Sequence, residues 1–525
     1  MRTFFLSVLL LVLTFASSAQ SPIDVLHYRF SLDLNDENDT IRGKADISVK
    51  FLAETPVIEF DLHNPIAGNH GMFAYKAEGS EISGFTRSAQ EHKVWIIMMR
   101  PREVGDTATF TIFYKGIPAN GLIISKSKFG KRTFFSDNWP DRAKHWIPCV
   151  DDVADKASVE FLITAPSHYK VISNGELVKD TILPENRRLT HWREDTPIPT
   201  KVMAIGVAEF AVQYLENKNG TQISSWVFPE NKDKGFHDYA IAQDVLQYLI
   251  NYIGPYPFSK LANVQSKTIF GGMENANAIF YAENTVNGKR NSEGLFAHEI
   301  AHQWFGNMVT EKSYAHLWLS EGFATYLSHL YLESKYGKDT MMNMMRKDRQ
   351  QVINFAKTAW LPLVDSTSSF MALLNANSYQ KGGWVLHMLR GKIGDQQFRQ
   401  VIRTFNGLYS GKNAESKDFI GVAESITGKD LQKFFYQWLH VPGIPKLKID
   451  WEYDKKNKEL VVEVSQLQEY RYELSLDILT IDEDGKKKVE TLQIKGADET
   501  FRFKSGKKIV KVTEDPLVNL LASFE

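Results

Sequence analysis

Two histidines four residues apart, His298 and His302, constrain this chain more than any other feature of its sequence. On one helix an i,i+4 pair places both rings on the same face, close enough to hold a single ion. Glu299 follows the first histidine and sits beside that face, where it can reach a water held by the ion without being a ligand. The flanking residues Leu295-Phe296-Ala297, Ala301 and Trp304-Phe305 are apolar and read as a buried helix, with Ser292-Glu293 as its start and Gly306-Asn307 as its stop. A second helical period runs from about Leu317 to Tyr336 and carries Glu321 near its first turn. The competing reading makes His298 and His302 satisfied core histidines and Glu299 a buried ion-pair partner. That reading buries an acid and two imidazoles on an apolar helix with no cation to offset them, which is expensive.

Two neutral imidazoles and one carboxylate make an open zinc site, with room for a water and a substrate carbonyl. Zinc there polarises the carbonyl and makes the water more acidic. Glu299 would take the water proton and hand it to the departing amine. A second donor must then stabilise the oxyanion beside the metal. A tyrosine hydroxyl suits that task, although spacing alone does not select one from the 20 tyrosines present. Upstream stands Gly271-Gly272-Met273-Glu274-Asn275. Its two glycines permit close approach of backbone to ligand. Glu274 is a candidate partner for a substrate ammonium, with a solvated loop acid as the alternative. A structural zinc site fits less well, because such sites close their fourth position with protein ligands.

The remaining sequence supplies the scaffold. Met1-Arg2, the apolar run Phe4 to Phe15 and the small residues Ala16-Ser17-Ser18-Ala19 read as a Sec-type signal peptide over residues 1–19. The run is short for a membrane span, with a retained anchor as the alternative, so we expect export to a periplasm or the medium without stable membrane insertion. Cys149 is the only cysteine, so folding rests on core burial rather than an intrachain disulfide; 525 residues suffice for several cores. A formal net charge of −1 recommends neither a nucleic-acid nor an anionic-membrane partner.

Residues 20–208 alternate with period two, as in Tyr28–Leu34 and Ala108–Tyr114, and read as an antiparallel β domain, saddle- or sandwich-shaped. Within it, Asp137-Asn138-Trp139-Pro140-Asp141-Arg142 through Cys149 is too punctuated for a strand and suits a loop reaching a neighbouring cleft. Residues 209–443 are mostly helical, with helices expected at Asp238–Tyr252, Met341–Thr358, Lys381–Ile393, Asp395–Tyr409, Ser416–Thr427 and Leu431–Leu439. The methionine cluster Met341-Met342-Asn343-Met344-Met345 reads as core filling rather than a soft-metal site. After Val441-Pro442-Gly443, residues 444–525 return to period two and read as a small β-sandwich of about seven strands, with a hairpin at Asp482–Gly485. The whole is a multidomain α+β chain.

These motifs resemble those of the M1 aminopeptidases, the gluzincin group that includes aminopeptidase N and leukotriene A4 hydrolase. His298-Glu299-Ile300-Ala301-His302 followed by 18 residues and Glu321 matches the family spacing, and Gly271-Gly272-Met273-Glu274-Asn275 matches its G-x-M-E-N motif. The resemblance implies a thermolysin-like catalytic domain, one Zn2+ per chain held by His298, His302 and Glu321, and Glu299 as general base. It implies that Glu274 anchors the free N-terminus of a peptide, with Gly271, Gly272 and Met273 as the backbone rail beside it. Ser378-Tyr379-Gln380-Lys381-Gly382 is similar to the Tyr-x-Lys-Gly segment and nominates Tyr379 as the transition-state tyrosine. Asn307 occupies a flanking position usual for the family.

Four departures bear on these expectations. Ser320 replaces Asn in Trp318-Leu319-Ser320-Glu321-Gly322-Phe323-Ala324. Trp139 stands where the family carries a Gln or Glu that helps hold the amine, leaving Asn138 or Asp137 as substitutes. The family's C-terminal helical domain has no counterpart in the sequence, so a more open cleft accepting longer peptides is expected. Leu374 falls where leukotriene A4 hydrolase uses a second tyrosine, which argues against epoxide chemistry. The expected activity is removal of N-terminal residues from peptides; a metalloendopeptidase and a catalytically idle peptide-binding protein are the alternatives.

Overall fold

The computed structural model describes residues 21–66, 70–215 and 220–525. The leader read in residues 1–19 lies outside them. The N-terminal part is β-rich. In Ile23–Asp33 the buried residues Ile23, Val25, Tyr28, Phe30 and Leu32 face one way, with a register shift between Val25 and His27 resetting the alternation. This strand lies inside a seven-stranded sheet in the spatial order Glu176–Leu183, Arg187–Pro199, Lys156–Pro166, Ile23–Asp33, Ile41–Phe51, Thr107–Ile117, Gly71–Gly79. The expected antiparallel sheet has one parallel seam, between Ile23–Asp33 and Lys156–Pro166. The long stretch of chain between those two strands forms other parts of the domain, so the return needs no tight hairpin. A four-stranded and a three-stranded sheet complete this part.

A five-stranded mixed sheet follows, in the order Ala211–Leu215, Gln222–Val227, Lys260–Ser266, Ala278–Ala282, Gly272–Met273. Its central strand Lys260–Ser266 runs parallel to both neighbours and is buried at every residue. Covering on both faces removes the polar–apolar alternation that announces a half-exposed strand, and no strand was expected here from the sequence. Two of its polar side chains accept from neighbouring elements: the Gln265 carbonyl oxygen from the Phe228 N–H at 3.0 Å, and that of Asn263 from the Tyr281 hydroxyl at 3.3 Å. The sheet is a wall between two hydrophobic cores. Ala262, Val264, Ala278 and Phe280 face the core of the N-terminal β region, whereas Leu261, Ile279 and Tyr281 face the helices.

Nine α-helices occur among the described residues: α1 (Lys232–Tyr239), α2 (Ala242–Tyr252), α3 (Glu293–Ala301), α4 (Trp318–Tyr336), α5 (Lys338–Thr358), α6 (Gly382–Ile393), α7 (Asp395–Tyr409), α8 (Ser416–Thr427) and α9 (Gln432–Leu439). The single helix expected over Asp238–Tyr252 is therefore two. The break falls at Ala240 and Ile241, whose carbonyls accept from the Gln243 and Asp244 N–H groups three residues on, a tighter turn than the α-helix on either side. Helix α6 is preceded by a π turn, Asn377–Lys381, that carries Tyr379. Met341 and Met345 fill the core, while Met344 is only partly buried. The C-terminal part forms a four-stranded and a three-stranded sheet, and its Leu447, Val462, Leu476 and Ile478 belong to the same core as the helices. Among the described residues, no helix is long and apolar enough to cross a membrane.

Candidate metal centre and its cleft

Helices α3 and α4 pack side by side and bring three donors together. Nε2 of His298 lies 3.0 Å from Nε2 of His302 and 3.2 Å from Oε2 of Glu321; Nε2 of His302 lies 3.3 Å from the same oxygen. Donors about 2.0–2.1 Å from a tetrahedral ion stand about 3.3 Å apart, so this triangle fits one zinc-sized ion. The second nitrogen of His302 is already engaged. Its Nδ1 is 3.1 Å from the Phe305 carbonyl, which accepts the ring N–H and turns the Nε2 lone pair toward the other donors. Ser320, the departure from the family pattern, places its hydroxyl 3.1 Å from that same Nδ1.

The charge balance also favours a cation. Glu274, Glu299 and Glu321 are buried beside the two imidazoles. Burial opposes charge on His302, but the Glu321, Glu274 and Glu299 carboxyls outweigh it and push the ring up to about 10. Burial raises Glu299 well above the ordinary carboxyl range and raises Glu274 too, with His302 opposing both shifts. Glu321 is also buried, yet its two imidazole neighbours hold it below that range. An excess of acid around a closed triangle of donors is the charge pattern of a cation site.

Gly271 to Glu274 runs along α3 in register with it. A Cβ on Gly271 would lie 3.8 Å from Leu295, and one on Gly272 would overlap the Glu299 carboxyl, so only glycine fits there. At the far end, Gln303 and Asn307 donate to the Glu274 carbonyl at 3.0 and 2.7 Å. Gln303, which sequence reasoning did not single out, also accepts from the Asn277 N–H at 2.7 Å; its position directly after His302 was the available signal. With its backbone held in this way, Glu274 keeps a buried carboxyl oxygen, Oε1, without a protein partner. Gly272–Met273 is the edge strand of its sheet, so one side of its backbone is free of strand pairing.

Tyr379 stacks on His298, with ring centroids 5.9 Å apart and planes 13° from parallel. Burial, reinforced by Glu321, Glu274 and Glu299, keeps its hydroxyl protonated and therefore a donor. The approach of its π turn depends on two glycines: a Cβ on Gly322 would come within 2.8 Å of Gly382 Cα, so α4 and α6 cross there in backbone contact.

Trp139 reaches the cleft from the N-terminal region and packs against Phe270 and Tyr314 at 6.2 and 5.6 Å. Neither proposed substitute for an amine-binding Gln or Glu reaches the cleft. Asp137 is wholly buried and accepts from Arg142, the Thr268 hydroxyl and the Ile269 N–H. Asn138 donates to the Thr200 and Met203 carbonyls and accepts from the Trp146 indole. Both side chains hold the loop in place. The cleft encloses about 520 Å³ and is lined by Leu374 and Tyr379 as well as by Gly271 to Glu274.

Residues 238–438 match the Peptidase family M1 domain, and residues 24–202 match the Peptidase M1 N-terminal domain. The chain belongs to peptidase family M1. Members similar to it include Aminopeptidase M1-C of Oryza sativa subsp. japonica, 27% identical over 58% of this chain and 37% of that protein. Probable aminopeptidase 2 of Sulfurisphaera tokodaii is 28% identical over 60% of this chain and 42% of its own length. Aminopeptidase A of Gloydius brevicauda is 27% identical over 82% of this chain and 47% of its own length. The matches thus span less than half the length of each of these M1 relatives.

Proposed function

We propose that this chain is a zinc-dependent aminopeptidase that cleaves the N-terminal bond of peptides. The observation that carries the reading is the buried, unpartnered Oε1 of Glu274 at one end of the cleft, beside the donor triangle. A buried carboxyl oxygen left without a partner is costly unless a ligand completes it, and a peptide's α-ammonium has the matching charge. Gln303 and Asn307 donate to the Glu274 carbonyl and so fix the backbone that carries this carboxyl. An endopeptidase needs a through-cleft and no such acid.

His298, His302 and Glu321 would hold the zinc, which supplies Lewis-acid polarisation of the scissile carbonyl and a more acidic water. Glu299 takes the water proton and delivers it to the leaving amine; burial strengthens its hold on that proton. Tyr379 donates its hydroxyl to the developing oxyanion. The free edge of Gly271 to Met273 accepts the substrate backbone as an added strand. The leader in residues 1–19 supports export to a periplasm or the medium.

The test compares an aminoacyl-anilide with its N-acetylated form, each with and without a chelator and with zinc restored. Zinc-dependent hydrolysis of the free-amine substrate alone is the expected result. Equal cleavage of the acetylated form would transfer the assignment to an endopeptidase, and absence of metal-dependent turnover would leave a binding protein.

A further inference from the structure

A second polar pair lies in the wall of the same cleft, away from the donor triangle. Nε2 of His329 on α4 stands 2.8 Å from Oδ2 of Asp348 on α5. Both side chains are mostly buried, and both line the cleft. Oδ1 of Asp348 has no protein partner among the described residues, yet it is not sealed from solvent. The Ser328 hydroxyl, the nearby alternative donor, is committed to the Thr325 carbonyl at 2.7 Å. Leu295, Leu332 and Met344 line the cleft too, and among the described residues no lysine or arginine lines it. The result is a sleeve with apolar sides and an acidic end.

Its place along a bound peptide follows from the order of elements. Glu274 lies beside Gln303, past the C-terminal end of α3, whereas Gly271 lies beside Leu295 in the first turn of that helix. A peptide whose amine meets Glu274 and whose first carbonyl lies at the metal triangle therefore continues toward Leu295. Helix α4 runs the same way: Gly294 sits against Leu332, and His329 is eight residues past Glu321, about 12 Å along the axis. The sleeve lies on the leaving side.

We propose that His329 and Asp348 form the end of the pocket for the substrate's second residue, and that this pocket selects lysine or arginine. This assignment rests on the aminopeptidase reading above. The methylene stem of either side chain lies along Leu295, Leu332 and Met344, and its charge meets the free Asp348 oxygen. A glutamate would meet a carboxylate of its own sign, and a leucine would bury the free oxygen without a partner. His329 orients the carboxylate through the other oxygen.

The experiment uses the zinc-loaded enzyme and dipeptide amides with alanine first and lysine, arginine, leucine or glutamate second. Expected is a kcat/KM about tenfold higher for lysine or arginine than for leucine, with glutamate lowest. Asp348→Asn retains an acceptor for His329 but removes the charge, so the basic-to-leucine ratio should fall toward one, mainly through KM. A wild-type panel that is flat or favours leucine overturns the assignment, as does an Asp348→Asn enzyme that keeps the basic preference. If Asp348→Asn does not fold, the wild-type panel decides alone. Failure to cleave any free-amine peptide removes the aminopeptidase reading itself, and this assignment with it.

Discussion

Ser320 and the Phe305 carbonyl both lie 3.1 Å from Nδ1 of His302, so Ser320→Ala should loosen the ring without freeing it. Loss of an outer partner of a metal-binding histidine typically costs about 10-fold in affinity. Competition with a zinc chelator should show that drop in Ser320→Ala, while Phe305 preserves the orientation of the ring. Glu299→Gln makes the complementary prediction. It keeps the shape beside Gly272 but cannot accept a proton, so peptide hydrolysis should vanish while the zinc content of the purified protein stays near one per chain. Residual turnover near the wild-type rate would remove Glu299 from the base role. These positions were legible because their spacing is local: His298 and His302 share one helix face, and Glu321 opens the next helix. Asp137 and Asn138 were not. Their partners Thr268, Thr200 and Met203 lie far along the chain, and a short polar stretch looks alike whether it faces a ligand or ties down a loop. His329 and Asp348 were equally silent, since each reads as an ordinary helix-surface residue until α4 and α5 are packed together.

Secondary structure was legible wherever one face meets water and the other a core. Helix α7 spans the expected residues because Phe398, Val401, Ile402 and Phe405 form one buried stripe. The strand Lys260–Ser266 escaped notice because both its faces are covered, and the π turn before α6 has no periodic signature. That turn matters more than its length suggests, because it carries Tyr379 to the donor triangle, and it arrives there through the glycine crossing of α4 and α6. Gly322→Ala should push the helices apart. Overpacking of this kind costs about 1–3 kcal/mol, and the displacement would fall on Glu321 and Tyr379 together. We expect a lower melting temperature and a fall in kcat larger than any change in KM, read by thermal denaturation and steady-state kinetics on one preparation. Gly391→Ala is the control: it lies in α6 with open space around its Cβ position and should leave both nearly unchanged.

Three regions of composition mark this chain, but among the described residues the buried hydrophobic side chains divide into two cores. The C-terminal strands contribute Leu447, Val462 and Leu476 to the core that holds α3, α4 and α6, so they do not bury their apolar faces apart from the helices. The five-stranded sheet is shared between the cores, and the donor triangle is carried by α3, its C-cap residue His302 and α4 on the helical side. Calorimetry of the zinc-loaded protein should therefore resolve two unfolding transitions rather than three. A ligand bound only by the native state stabilises the unit that holds it, by about 4 kcal/mol at a thousandfold excess over its dissociation constant. Removing zinc should consequently lower the transition of the helical and C-terminal unit and leave that of the N-terminal β region close to its original temperature. Circular dichroism at a helical wavelength assigns the transitions, since the zinc-sensitive one must carry most of the helix signal. A separate, zinc-insensitive transition for residues 444–525 would show that the shared core contributes little cohesion. A single transition shifted as a whole by chelation would mean that the five-stranded sheet couples both cores into one cooperative unit.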